Sequence, residues 1–309
     1  MQTASSIHKF RFHKMTNSTE DSERERKRKL LSQIKEEIKK VKNYTPKVGI
    51  LGDTGVGKSS LCNALFGKEI AAISDVEACT RKPQEILIAS SDGAGIVLVD
   101  VPGIGEDPGR HKEYTNLYKS LVPGLDLIIW AIKADDRKYS SSIEVYNEVI
   151  KPWGDRYPVL FVITQADKIE PVREWDSSNN KPGERQSQNL ISKINDIATR
   201  FGVSTKNIVA VSATESYNLK ELVNHIVGIL PNEKKSSFTR ETKEENVSEE
   251  AAVQAEKGTW EYLKEKFGPA LASVKDLLIN DLSELMIAHG PKLYEVLKMA
   301  AIAWLKKVK

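Results

Sequence analysis

The sequence predicts an α/β fold: a doubly wound, mostly parallel sheet with helices on both faces and helical extensions at either end of the chain. Three observations predict it. Gly52-Asp53-Thr54-Gly55-Val56-Gly57-Lys58-Ser59 matches the phosphate-loop pattern GxxxxGK[ST] and sits between an apolar run, Val48 to Leu51, and a helical pattern, Ser60 to Phe66. Apolar runs of buried-strand type then alternate with helical patterns as far as Pro231. Beyond Pro231 the composition turns polar, and helical spacing of apolar residues resumes only near Trp260.

Taken in order, residues 1–17 lack the apolar core of a signal peptide and are expected to be a disordered tail. Residues 18–44 read as a basic amphipathic helix, with Leu30, Leu31, Ile34, Ile38 and Val41 along one face. The α/β domain spans 45–231. Gln84 to Ala89 and Gly95 to Val99 are predicted as an antiparallel pair joined at Ser90-Ser91-Asp92-Gly93. Leu125 to Ile132, Pro158 to Ile163 and Ile208 to Val211 follow as buried strands. Helices are expected at His111 to Leu121, Ser142 to Ile150, Ser187 to Phe201 and Leu219 to Ile229. Asp155-Arg156-Tyr157 and Asp176 to Glu184 read as surface connections, the second as an insertion. Residues 232–256 are expected to be a polar linker and 257–309 a helical extension. In the extension Trp260, Leu263, Phe267, Leu271, Val274 and Leu278 recur at helical intervals, and a last helix, Lys292 to Lys309, follows the break at Gly290-Pro291.

The chemistry concentrates at the predicted carboxyl ends of the strands. Loop N–H groups and the dipole of the following helix make a cradle for phosphate, formed by Gly52, Asp53, Thr54, Gly55, Val56, Gly57, Lys58, Ser59 and Ser60. Lys58 is expected to reach the β- and γ-phosphates, and the Ser59 hydroxyl to take a magnesium position. A second carboxylate-bearing strand tip, Asp100-Val101-Pro102-Gly103, adds Asp100 for the metal and the Gly103 N–H for the γ-phosphate. Base recognition falls to Thr164-Gln165-Ala166-Asp167 and Ser212-Ala213-Thr214. A carboxylate at Asp167 accepts both the N1–H and the exocyclic amine of guanine, a donor pair adenine lacks. Guanine is therefore the expected base, with GTP as substrate, GDP as product and Mg2+ as the cation.

These motifs, in this order and spacing, resemble the Era-like P-loop GTPases of the translation-factor-related class over Lys47 to Pro231. The stretch Lys58-Ser59-Ser60-Leu61-Cys62-Asn63-Ala64-Leu65-Phe66-Gly67 shares the group's wording. The resemblance implies that Thr80, in Ala78-Cys79-Thr80-Arg81, is the switch threonine and a second magnesium ligand, and that Lys58, Thr80 and Gly103 serve catalysis. It implies a molecular switch that hydrolyses GTP and presents its GTP state to a protein, ribosomal RNA or membrane partner, or dimerises with nucleotide bound. Three positions depart from the family pattern. Gln165 stands where relatives carry a lysine along the purine, and Gly55 where many carry a potassium-binding asparagine. Ile104 stands where Ras-like enzymes place the water-orienting glutamine, so intrinsic turnover is expected to be slow. Arg81, Glu106, Asp107 or a partner are the alternatives for that role, against their reading as solvated loop charges.

The 309 residues, 40% apolar, allow one substantial domain with additions, or two domains. Cys62 and Cys79 match no metal or disulfide pattern, which points to a cytoplasmic protein. No run approaches the roughly 18 apolar residues of a spanning helix, so any membrane association is peripheral. The net charge of +3 is unevenly placed, since residues 1–50 carry 13 Lys or Arg against 6 Asp or Glu. That arm, and Trp304 beside Lys306, Lys307 and Lys309, suit an anionic lipid or RNA surface, while packing on the rest of the protein explains the same stripes. In the second reading, a membrane-associated GTPase oligomerises on lipid. The carboxy-terminal extension carries no Gly-x-x-Gly with basic flanks of the kind that marks a KH-type RNA module.

Overall fold

The computed structural model describes residues 4–66, 84–89, 95–100 and 111–274. Their contacts divide the chain into two units, 43–255 and 1–42 with 256–309. In the first unit, runs of Val, Ile and Leu form β1 (Lys47–Gly52), β2 (Gln84–Ala89), β3 (Gly95–Asp100), β4 (Leu127–Lys133), β5 (Val159–Thr164) and β6 (Ile208–Ala210). They make one sheet in the order β2-β3-β1-β4-β5-β6. Only β2 and β3 pair antiparallel, in the register Gln84 to Asp100 and Ala89 to Gly95, as the sequence predicts. The other neighbours are parallel, which brings all their carboxyl ends to one edge.

Period-two alternation sorts the strand side chains into two cores. Val48, Ile50, Leu127, Ile129, Leu160 and Val162 face one, where α2 (Lys58–Phe66) and α6 (Leu219–Ile229) add Leu61, Leu65, Leu222 and Ile226. Leu51, Ile128, Trp130, Ile132, Phe161 and Ile163 face the other. That face is covered by α3 (His111–Leu121), α4 (Ser140–Val145) with a π turn at Tyr146–Ile150, and α5 (Glu184–Phe201). Trp130 is fully buried there, with the ring centroids of Tyr146 and Phe201 at 5.4 and 6.3 Å in edge-to-face packing. The turn at Ser90-Ser91-Asp92-Gly93 lies outside the described residues.

Residues 232–256 differ from expectation. In place of a linker they form α7 (Asn232–Glu241) and the first turns of α8 (Glu249–Phe267). Phe238 is fully buried and meets Phe66 edge to face at 5.8 Å, and Ala251 and Ala255 enter the same core. Polar contacts complete the docking: Lys243 N–H donates to Leu65 O at 2.8 Å, and Asn246 Nδ2 to Ala64 O at 2.8 Å. Asp126, 6% exposed, accepts from Tyr44 Oη, Lys47 N–H and Lys234 Nζ. One aromatic anchor in ten otherwise polar residues leaves no apolar period to read, which is why the segment resembles a linker.

In the second unit, α1 runs from Ala4 to Lys42, so residues 4–17 are helical where a disordered tail is expected. Leu31, Ile34 and Ile38 pack on Trp260, Leu263, Leu271 and Val274, the last two from α9 (Ala270–Ser273) and its end. The apolar stripe therefore serves a core. Arg24, Arg26, Arg28 and Lys29 remain exposed. Glu37 is held down to about 2 by hydrogen bonds from Lys266 and Lys40, with Tyr262 adding a third. Glu256 is the opposite case. Burial pushes its carboxyl up to about 7 against the pull of Lys42, and its Oε2 has no hydrogen-bond partner. No helix among the described residues is long and apolar enough to cross a membrane. Leu278 and the expected helix Lys292 to Lys309 lie outside them.

Two outcomes follow. Phe238→Ala should lower stability by about 3–5 kcal/mol in urea denaturation, as for a filled aromatic core site; a linker residue would cost nothing. Glu256 holds its proton in the folded chain up to about pH 7 but releases it near 4.5 when unfolded. Its cost is thus absent below pH 4.5 and complete above pH 7. Glu256→Gln should therefore flatten the fall in stability across that window and add about 1–3 kcal/mol at pH 8.

Candidate functional site

β1 delivers the chain into the phosphate loop at Gly52, whose φ is +144° and where a Cβ would stand 2.3 Å from the carbonyl oxygen of Ala131 on β4. Only glycine passes so close to a neighbouring strand in that conformation. The loop turns through Thr54 and Gly55, buries Val56 in the core, and enters α2 at Lys58 after Gly57, another left-handed glycine at φ +87°. Leu61 N–H donates to Gly57 O at 3.0 Å, closing the first helical turn. The Lys58 ammonium lies over the loop and donates to the carbonyls of Gly52 and Asp53 at 3.2 and 3.1 Å. Ser59 and Ser60 continue the first turn of α2, at its positive end.

The Asp53 side chain turns away from this cradle. Its Oδ1 accepts from Ser142 Oγ on α4 at 2.9 Å. Burial raises the Asp53 pKa; the Ser142 hydrogen bond and the Lys58 charge oppose the rise, and Asp136 adds to it. The carboxylate thus ties the loop to α4 and leaves the cradle to backbone groups. Asp100 closes β3 and pairs with Ile50 across β1, two residues before the loop begins. Strand order therefore carries the Asp100 backbone to the edge where Ser59 sits. Thr80 and Gly103, with Arg81, Ile104, Glu106 and Asp107, lie outside the described residues.

The base motif is joined to the phosphate loop directly. Thr164, buried at the end of β5, donates to Val56 O at 2.5 Å, with Ile132 O 3.3 Å away. Gln165 then takes a left-handed conformation, φ 55°, and starts a 3-10 turn, Ala166–Lys168. Gln186, fully buried near the start of α5, donates to Asp167 O at 3.3 Å and Ile169 O at 2.9 Å. Its Oε1 accepts the Gly183 N–H at 3.2 Å. Sequence reasoning missed Gln186 and Ser142. The first had a signal, since a glutamine three residues past a glycine helix start fits half of a capping box. The second had none.

The third motif closes the far wall. Ser212 and Tyr217 exchange backbone hydrogen bonds at 3.2 and 2.9 Å, Ser212 Oγ accepts the Glu215 N–H at 3.2 Å, and Asn218 Nδ2 holds Ala210 O at 2.9 Å. Trp175, just before the insertion at Asp176 to Glu184, packs edge to face on Tyr217 at 5.4 Å. Between the walls lies a cleft lined by Gly57, Ser60, Leu61, Thr164, Gln165, Lys168 and Val211 to Thr214. Asp167 is half-buried beside the cleft and is not among its lining residues.

Residues 47–165 match the family model described as 50S ribosome-binding GTPase. YkfA of Escherichia coli strain K12, an uncharacterized protein, is 42% identical over 200 residues, which are 64% of this chain and 67% of YkfA. GTPase Era of Aquifex aeolicus strain VF5 is 31% identical over 188 residues, 60% of this chain and 56% of that protein. A crystal structure of Era in complex with MgGDPNP and nucleotides 1506–1542 of 16S ribosomal RNA is similar at 29% identity and a TM-score of 0.46, over 60% of this chain and 57% of that one.

Thr164→Val should leave the Val56 carbonyl without its buried donor. We expect a stability loss of about 1–3 kcal/mol by denaturation, together with weaker nucleotide binding by calorimetry because the same bond sets the loop.

Proposed function

Since the chain belongs to the Era-like P-loop GTPases, we propose that it binds GTP with Mg2+, hydrolyses it to GDP and phosphate, and acts as a molecular switch. The phosphate-loop motif beside a cleft lined by Gly57, Ser60, the Thr164–Gln165 turn and Ser212 to Thr214 carries this reading. A phosphate cradle and a base slot so joined fit a nucleotide lying along the sheet's carboxyl edge.

In this reading the loop N–H groups and the α2 terminus hold the β-phosphate, and Lys58 leaves the carbonyls of Gly52 and Asp53 to meet the β- and γ-phosphates. Ser59, Asp100 and Thr80 supply a hydroxyl, a carboxylate and a second hydroxyl, a hard oxygen set suited to Mg2+. When bound, the cation neutralises charge on the phosphate oxygens. Gly103 N–H orients the γ-phosphate. Ile104 offers no group to position water, so intrinsic turnover is slow and a partner or another switch residue completes it. Asp167 selects guanine, and Gln186 holds its backbone carbonyl beside the cleft. The proposed partner class is ribosomal RNA or a protein that reads the switch loops. Era, one of the similar proteins of known structure, is in complex with nucleotides 1506–1542 of 16S ribosomal RNA.

The decisive experiment is GTP hydrolysis by the purified full chain, alone and with ribosomes, in sodium and in potassium buffer. Stimulation by ribosomes supports the reading, and equal affinity for ATP and GTP would sink it. Lys58→Ala should lower turnover by at least about 100-fold without unfolding the domain. Asp167→Asn should lose guanine preference by a similar factor and gain affinity for xanthine nucleotides, because the amide cannot accept both guanine donors.

A further inference from the structure

The base cleft has a second wall that the motifs do not account for. Gln165 begins the 3-10 turn Ala166–Lys168, and Lys168 N–H donates back to Gln165 O at 2.9 Å. Gln165 and Lys168 share the cleft face, since both line it. Lys168 Nζ donates to Gln165 Oε1 at 3.0 Å. The Gln165 amide in turn reaches back to the phosphate loop, its Nε2 lying 3.5 Å from where a Cβ on Gly57 would stand. Together the two side chains form one polar roof running from the phosphate loop to the mouth of the base slot. Among the described residues, Lys168 is the only charged side chain lining this cleft.

We propose that Lys168, oriented by Gln165, forms one face of the purine slot and supplies its positive charge. This rests on the GTPase reading and adds a binding residue to it. A purine is flat and electron-rich, and a cation over its face gains electrostatic attraction. The four-carbon stem of lysine adds apolar surface over the ring while the ammonium stays hydrated at the cleft mouth. Gln165 supplies what a lone surface lysine lacks, an acceptor that holds the chain over the slot before the base arrives. Lys168 is exposed in this structure, and a bound base would cover its stem. The ammonium sits at the base end, whereas Lys58 serves the phosphate end.

Calorimetric titration of the full chain tests this. Lys168→Ala should weaken GDP and GTP by the same factor, roughly three- to tenfold, with an unchanged melting temperature in the absence of nucleotide. Lys168→Met, which keeps the stem, should recover part of the loss, and Lys168→Arg most of it. Inorganic tripolyphosphate, which has no base, should compete equally well against wild type and Lys168→Ala. GDP binding by Lys168→Ala equal to wild type would overturn the proposal. So would a matching loss of tripolyphosphate binding, since that would place the lysine at the phosphates. A wild type that binds no guanine nucleotide would instead overturn the GTPase reading, and this inference with it.

Discussion

The hydroxyl of Thr164 has two carbonyls within reach, Val56 in the phosphate loop and Ile132 on the next strand. Its shorter bond joins the part of the site that grips phosphate to the part that reads the base. On one side, Val56 is anchored in the core and fixes the loop between Gly52 and Gly57. On the other, Thr164 leads into Gln165, whose left-handed backbone launches the turn that presents Gln165, Asp167 and Lys168. A buried carbonyl left without a donor is costly, so the loop and the base motif keep one spacing.

A second constraint lies at the opposite end of the sheet. Asp126 is nearly inaccessible, and a carboxylate there is tolerated only when paired and hydrogen-bonded. Tyr44, the Lys47 N–H and Lys234 satisfy it, and Arg240 donates to Tyr44 O at 3.1 Å. Chain entering the domain and chain leaving it are thereby fastened at one carboxylate. The helix around Phe238 is thus part of the nucleotide-binding domain, which reaches Ala255 and not Pro231.

Much of this was legible in the sequence because it is periodic or repeats a motif. The phosphate loop, the parallel strands, the single antiparallel pair and the helices at His111–Leu121 and Leu219–Ile229 lie where apolar spacing puts them. What escaped has no period. Phe238 docks a helix with one ring and a set of polar contacts, and α5 starts at Glu184 because Gln186 is drawn inward to hold the base motif. Ser142 meets Asp53 across 89 positions, a pairing that only the fold creates. The Asp53 carboxylate faces α4, and Lys58 donates to the carbonyls of Gly52 and Asp53.

The α1 helix finds its apolar partners only beyond residue 255, after the whole nucleotide-binding domain has been made. At ribosomal speeds of about 5–20 residues per second, Leu31, Ile34 and Ile38 wait on the order of ten to forty seconds for Trp260 and Leu263. During that interval a greasy, basic helix has emerged while the sheet behind it is still being assembled. The apolar stripe of α1 is therefore open during synthesis in a way that its packing on Trp260 and Leu263 later ends.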